Sequence, residues 1–162
     1  MVVSAFESPW SEVYKAVIER LNKEESILEV GCGTGQLAEV LINDGYNYEL
    51  GFDFSPLGVL YAKRRCKVDL FEVADIYDFD FNREYDTLIA IEVLEHICGD
   101  LEMIEKIPSG VRVIFSVPNF NCKGHVRYFK DAGDVVIRYG YLLNNFRLTR
   151  IGKIWLIEGV KK

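Results

Sequence analysis

The chain has 162 residues, a length that suits one domain, and its 49% hydrophobic and 27% charged content allows a buried core under a polar surface. A formal net charge of −6 argues against a general nucleic-acid binder, which would carry a basic surface, and no stretch approaches membrane-spanning length. Cys32, Cys66, Cys98 and Cys122 lie far apart with no C-x-x-C pair, so zinc and disulfide frameworks are both poor readings. Reduced thiols in a cytoplasmic protein are expected, since the first residues lack a basic region followed by an apolar run.

Residues 6–21 carry Trp10, Val13, Tyr14, Val17, Ile18 and Leu21 at spacings of three and four, which predicts an amphipathic helix. Ser8 suits its N-cap and Pro9 its first helical position. Trp10 and Tyr14 fall on one face, either as core residues or as a lid over a pocket. Ile27 to Val30 then reads as a buried parallel strand. Gly31, Gly33 and Gly35 alternate with Cys32 and Thr34, and helical spacing resumes with Leu37, Val40 and Leu41. A glycine loop between strand and helix brings bare backbone within contact distance of a ligand. A dinucleotide fingerprint would need glycine or alanine where Gln36 stands, so that pattern fails at its last position.

A second strand over residues 46–52 ends in Asp53-Phe54-Ser55-Pro56. Asp53 lies 22 residues beyond Gly31. In a right-handed βαβ unit the two strand ends meet over one crevice, where a carboxylate can accept from both hydroxyls of a ribose. Ser55 and Pro56 begin the next helix, residues 56–66, with Leu57, Leu60 and Tyr61 read as inward. Together, Glu29-x-Gly31-x-Gly33-x-Gly35 and Asp53 resemble the cofactor-binding elements of class I, Rossmann-like S-adenosylmethionine-dependent methyltransferases, in particular small members of the type 11/12-like group.

That resemblance extends over residues 27–160. It implies that Glu29, Gly31, Cys32, Gly33 and Gly35 surround the methionine and ribose portion of S-adenosyl-L-methionine. It implies Asp53, Phe54 and Ser55 at the ribose, and Asp75 with Ile76 at the adenine, at the end of a third strand over residues 67–73. A fourth strand, residues 87–91, leads into Glu92-Val93-Leu94-Glu95-His96. Glu92 at a strand end is a candidate for both cofactor and acceptor contact. The phrase is frequent in biosynthetic methyltransferases of small molecules. It also matches the Glu-x-x-Glu-His metal motif of enzymes that 2′-O-methylate the 3′ ends of small RNAs, with His125 as the further histidine that such a site needs. Metal-free transfer is the first expectation, and a metal held by Glu92, Glu95, His96 and His125 is the alternative.

A helix over residues 99–107 and a fifth strand over residues 111–117 continue the alternation. Residues 120–143 are the least regular part, and Lys123, His125, Arg127 and Lys130 make them locally basic. The resemblance places acceptor contacts in residues 118–143. Runs at 146–151 and 153–160 flank Gly152 as a terminal hairpin, with Ile154, Leu156 and Ile157 partly buried. The expected fold is therefore a single α/β domain over residues 1–162. It has a Rossmann-like, seven-stranded, mostly parallel sheet, helices on both faces, an N-terminal lid helix within residues 1–25 and a C-terminal antiparallel hairpin.

The expected reaction is methyl transfer from S-adenosyl-L-methionine to an unidentified acceptor, a small molecule or biosynthetic intermediate. The sulfonium already makes the methyl electrophilic, so the protein's work is positioning the acceptor and excluding water. His96, His125 and Glu92 are the candidate bases for an oxygen or nitrogen acceptor. Three alternatives stand beside this reading. They are the metal-assisted RNA enzyme, a non-catalytic partner protein that binds the cofactor, and a nicotinamide-dependent oxidoreductase. Oligomeric state is open, and no membrane partner is expected.

Overall fold

A computed structural model describes residues 4–162; residues 1–3, the start of the predicted lid segment, lie outside the described residues. The helices are α1 (Ser11–Ile18), α2 (Gln36–Asn43), α3 (Pro56–Cys66), α4 (Asp100–Lys106) and α5 (Ala132–Tyr139). The strands are β1 (Ile27–Val30), β2 (Tyr48–Asp53), β3 (Phe71–Val73), β4 (Thr87–Ala90), β5 (Arg112–Pro118), β6 (Leu143–Ile151) and β7 (Ile154–Lys161). They form one seven-stranded sheet in the order β3-β2-β1-β4-β5-β7-β6. The pairs β1/β2, β2/β3 and β4/β5 are parallel, and β7 runs antiparallel to both β5 and β6. This is the mostly parallel α/β fold with a terminal hairpin that the alternation of elements predicts. The described residues divide into two compact units, one of residues 4–79 and 84–86, the other of residues 80–83 and 87–162.

In the first unit, β1 is buried along its whole length, as a continuous apolar run requires. Its register sets Val30 opposite Phe52, so the two strands end together and the loops that follow them lie side by side. Helix α2 buries Leu37, Ala38 and Leu41, the face read from its spacing. Four sequence expectations are corrected here. The N-terminal helix does not begin near Phe6: Ala5–Glu7 form a 3-10 turn and α1 starts at Ser11. Ser8 is buried and its Oγ accepts from the Trp10 N–H, so it shapes the turn before the helix instead of capping it. Helix α3 points the other way from its hydrophobic pattern. Gly58, Val59 and Ala62 are buried, while Leu57, Leu60 and Tyr61 are 58%, 42% and 37% exposed. The physical reason is proximity to the glycine loop: a Cβ on Gly35 would stand 3.0 Å from the Ala62 backbone, so the helix approaches closely there and only a small side chain fits at position 62. Finally, β3 is three residues long, because Lys67 takes a left-handed conformation as the C-cap of α3 and the chain does not extend until Phe71.

In the second unit, β4 is wholly buried and β5 is buried from Val113 to Pro118. Leu156 and Ile157 of β7 are fully buried, beyond the partial burial expected of a hairpin. The segment read as irregular contains α5, which buries Val135 and Tyr139. Asp131 caps it, its side chain accepting from the Asp134 N–H. The Trp155 indole donates to the Phe129 carbonyl at 3.0 Å, which ties the chain before α5 to the hairpin.

Candidate functional site

The glycine loop is built by its backbone angles. Gly31, Gly33 and Gly35 have φ of +70°, +51° and +74°, in the left-handed region where glycine carries no Cβ penalty. The Gly31 and Cys32 N–H groups donate to the Phe52 carbonyl at 2.8 and 3.1 Å, which anchors the loop on the end of β2. Open space stands where a Cβ of Gly33 would sit, and this leaves that stretch of backbone bare.

Asp53 closes the loop from the neighbouring strand. One carboxylate oxygen accepts from the Gly33 N–H at 2.9 Å and the other from the Ser55 N–H at 2.8 Å. A carboxylate offers about four acceptor positions, so each oxygen keeps capacity for a hydroxyl. Ser55 caps α3, its Oγ accepting from the Gly58 N–H at 3.1 Å, with Pro56 in the first turn. Glu29 lies beneath the loop, 5% exposed, and takes a 2.5 Å hydrogen bond from the Tyr48 hydroxyl. Burial is the main cause that raises the Glu29 carboxyl to about 7; the Tyr48 bond opposes this and the Asp53 charge adds to it. Burial also pushes the neighbouring Cys32 thiol well above its ordinary range, so Cys32 is an inert packing group. Asp75 is exposed and closes a turn by accepting from the Tyr77 N–H at 2.9 Å, while Ile76 beside it is buried. Phe54 is 79% exposed.

A second constellation follows β4. Glu92 holds φ of +58°, an uncommon conformation for a side chain without a local amide or carboxamide partner. Ser116 of β5 braces it: the Ser116 Oγ accepts from the Glu92 N–H at 2.8 Å and donates to Glu92 Oε1 at 2.7 Å. Glu95 is fully buried; its carboxyl faces that of Glu92 and lies 3.9 Å from His96 Nε2, and no hydrogen bond of ordinary geometry reaches either oxygen. Burial, and after it the Glu92 charge, push Glu95 up to about 9; burial likewise raises Glu92. The His96 and His125 rings meet edge to face with centroids 4.9 Å apart, and His125 Nδ1 is buried without a partner. His96 Nδ1 lies 3.1 Å from the Gly124 carbonyl. In the tautomer that donates there, Nε2 keeps its lone pair. One ligand atom from each of Glu95, His96 and His125 lies within 4.8 Å of the others.

This donor set fits a divalent cation. A carboxylate and two imidazoles converge, and three of the polar atoms are buried without a hydrogen bond of ordinary geometry. Of the four residues named for a metal from sequence, three converge; Glu92 is engaged by Ser116. Ser116 and Tyr48 escape sequence reading. Ser116 had one signal, a lone hydroxyl inside the apolar run Val113 to Val117, and Tyr48 had none.

The methyltransferase-domain family matches residues 5–155. The chain therefore belongs to that family, a class whose methyl donor is S-adenosylmethionine. It is 37% identical over 62 residues to a malonyl-acyl-carrier-protein O-methyltransferase of Paenibacillus sp. (strain JDR-2), covering 35% of this chain and 22% of that protein. It is 27% identical over 100 residues to a ubiquinone biosynthesis O-methyltransferase of Rickettsia typhi, covering 56% and 40%. The chain thus spans less than half the length of these curated relatives. In fold it is similar to the N-methyltransferase NodS of Bradyrhizobium japonicum WM9, solved with S-adenosyl-L-homocysteine: TM-score 0.74, 18% identity, 97% of this chain and 90% of that one. The nicotinamide alternative gives way to this family. Among the described residues no helix is long and apolar enough to cross a membrane.

Proposed function

We propose that this chain transfers the methyl group of S-adenosylmethionine to a hydroxyl oxygen of a small-molecule acceptor, and that Glu95, His96 and His125, with Glu92 beside them, hold a divalent cation for that acceptor. The observation that carries this reading is the set of partnerless buried atoms, both oxygens of Glu95 and Nδ1 of His125. Such groups are costly to bury unless something coordinates them. A cation held by Glu95, His96 and His125 would lower the pKa of the acceptor hydroxyl, and the released proton would pass to solvent. His96, His125 and Glu92 then serve as ligands and orienting groups and no free base is needed.

The glycine loop and Asp53 are the proposed donor site. Gly33 offers bare backbone, and Asp53 keeps acceptor capacity for ribose hydroxyls. Relatives named as O-methyltransferases support oxygen as the acceptor atom. The net charge of −6 favours a small molecule over RNA.

The test is product analysis with labelled S-adenosylmethionine and a panel of catechols and vicinal diols, with Mg2+ or Mn2+ and with a chelator. Methylated oxygen that depends on the cation and is lost in Glu95→Gln is expected. Full turnover in chelator, or transfer only to amines, would overturn the reading.

A further inference from the structure

We infer that Arg127 is the positioning residue that sets the spacing of the acid–imidazole cluster, holding the His125 segment against the loop that carries Glu95 and His96. The inference rests on the proposed metal reading for what the cluster does, and on geometry for how it is held. The loop from Glu92 to Gly99 forms neither helix nor strand, so its shape needs partners from outside it. One guanidinium supplies them. Arg127 donates through one terminal nitrogen to the Leu94 carbonyl and, at 2.5 Å, to the Ile97 carbonyl. Through the other it donates to the Cys98 carbonyl at 2.9 Å. Three carbonyls within five consecutive residues therefore converge on a single side chain.

The same nitrogen pairs with Asp100 at 3.1 Å, and Asp100 is fully buried. Asp100 is itself fixed by α5: Arg138 grips it with two bonds of 2.8 and 2.6 Å, and the Tyr139 hydroxyl donates at 2.7 Å. The guanidinium is thus held between a rigid carboxylate and the loop. Arg127 stands two residues beyond His125 in the chain. Between them, the Val126 N–H donates to the Glu95 carbonyl at 2.8 Å. His96 reaches the Gly124 carbonyl from the opposite side. The bonds at Gly124 and Val126 that join the two segments lie within three residues of Arg127. Only a planar fork with several fixed donors can satisfy these carbonyls at once; a lysine ammonium keeps the charge and loses the fork.

The experiment uses the full chain as wild type, Arg127→Lys and Arg138→Lys, titrated with Mn2+ and followed by the free-ion electron paramagnetic resonance signal. Arg127→Lys is expected to weaken Mn2+ by roughly tenfold or more, the size typical of losing a group that orients metal ligands. Arg138→Lys loosens Asp100 without touching a loop carbonyl, and Asp100 keeps its Tyr139 bond and its pairing with Arg127, so the variant is expected to weaken Mn2+ by no more than about threefold. A second readout needs no metal. The two imidazole Cε1–H proton resonances should shift in Arg127→Lys and hold in Arg138→Lys. Unmoved resonances in a folded Arg127→Lys would overturn the positioning role, as would equal effects of the two variants. Should Arg127→Lys not fold, Arg127→Gln is read the same way. A wild type that takes no Mn2+, with resonances that still shift in Arg127→Lys, would sink the metal reading and leave the positioning role standing.

Discussion

The glycine loop and the acid–imidazole cluster are opposites in how their polar groups are satisfied. In the loop, both oxygens of Asp53 accept backbone N–H bonds and the buried Glu29 takes a bond from Tyr48. In the cluster, both oxygens of Glu95 and Nδ1 of His125 are buried with none. The first arrangement is satisfied by backbone geometry alone, and the second is not. On the proposed reading, the difference assigns donor recognition to backbone geometry and acceptor recognition to a cluster of side chains whose buried polar atoms can take a ligand.

The largest effect that would sharpen this contrast concerns Glu29. Its ordinary value is 4.5 and burial holds it near 7, so the folded chain keeps a proton that the unfolded chain has lost. Stability is then fully present below about pH 4.5, falls as pH rises toward 7, and is flat beyond. The decline amounts to about 3 kcal/mol. Urea unfolding of wild type and Glu29→Gln across that range should differ by a decline of this size, because the raised Glu95 and Glu92 carboxyls add the same slope to both. Equal slopes would mean that Glu29 ionises freely under the loop.

The next effect is steric. Gly35→Ala meets both a left-handed φ and a Cβ placed 3.0 Å from the Ala62 backbone. It should cost roughly 2–4 kcal/mol of stability by chemical denaturation. Gly33→Ala carries the same φ problem with open space around it, and should cost only about 1–2 kcal/mol. If the two cost the same, the packing of α3 on the loop is not what selects glycine at position 35. The smallest effect belongs to Phe54→Ala. The side chain is 79% exposed, so stability should change by less than about 0.5 kcal/mol, and any larger loss would be in cofactor affinity.

The same contrast explains what the sequence discloses. Gly31 to Gly35 and Asp53 are legible because their geometry is local: strand, loop, helix and one crossover determine it. Ser55 and Pro56 are legible for the same reason, as an N-cap and its first turn. The orientation of α3 is not, because Leu57, Leu60 and Tyr61 carry the hydrophobic pattern while a tertiary constraint, the approach of Gly35 to Ala62, decides which face turns inward. In the cluster, Glu92, Glu95 and His96 fall within five residues and can be named, yet their meeting with His125 depends on the Arg127 and Asp100 contacts, which no spacing encodes. Ser116 and Tyr48 act across neighbouring strands, where register alone decides who meets whom.

The most direct test of the account is calorimetric titration of S-adenosylhomocysteine into wild type, Asp53→Ala and Glu95→Gln. Donor and acceptor recognition are held to be separable. Wild type should bind at about micromolar Kd, Asp53→Ala about tenfold or more weaker, a loss near 1.4 kcal/mol, and Glu95→Gln unchanged. No binding by folded wild type, or equal weakening in both variants, would contradict it.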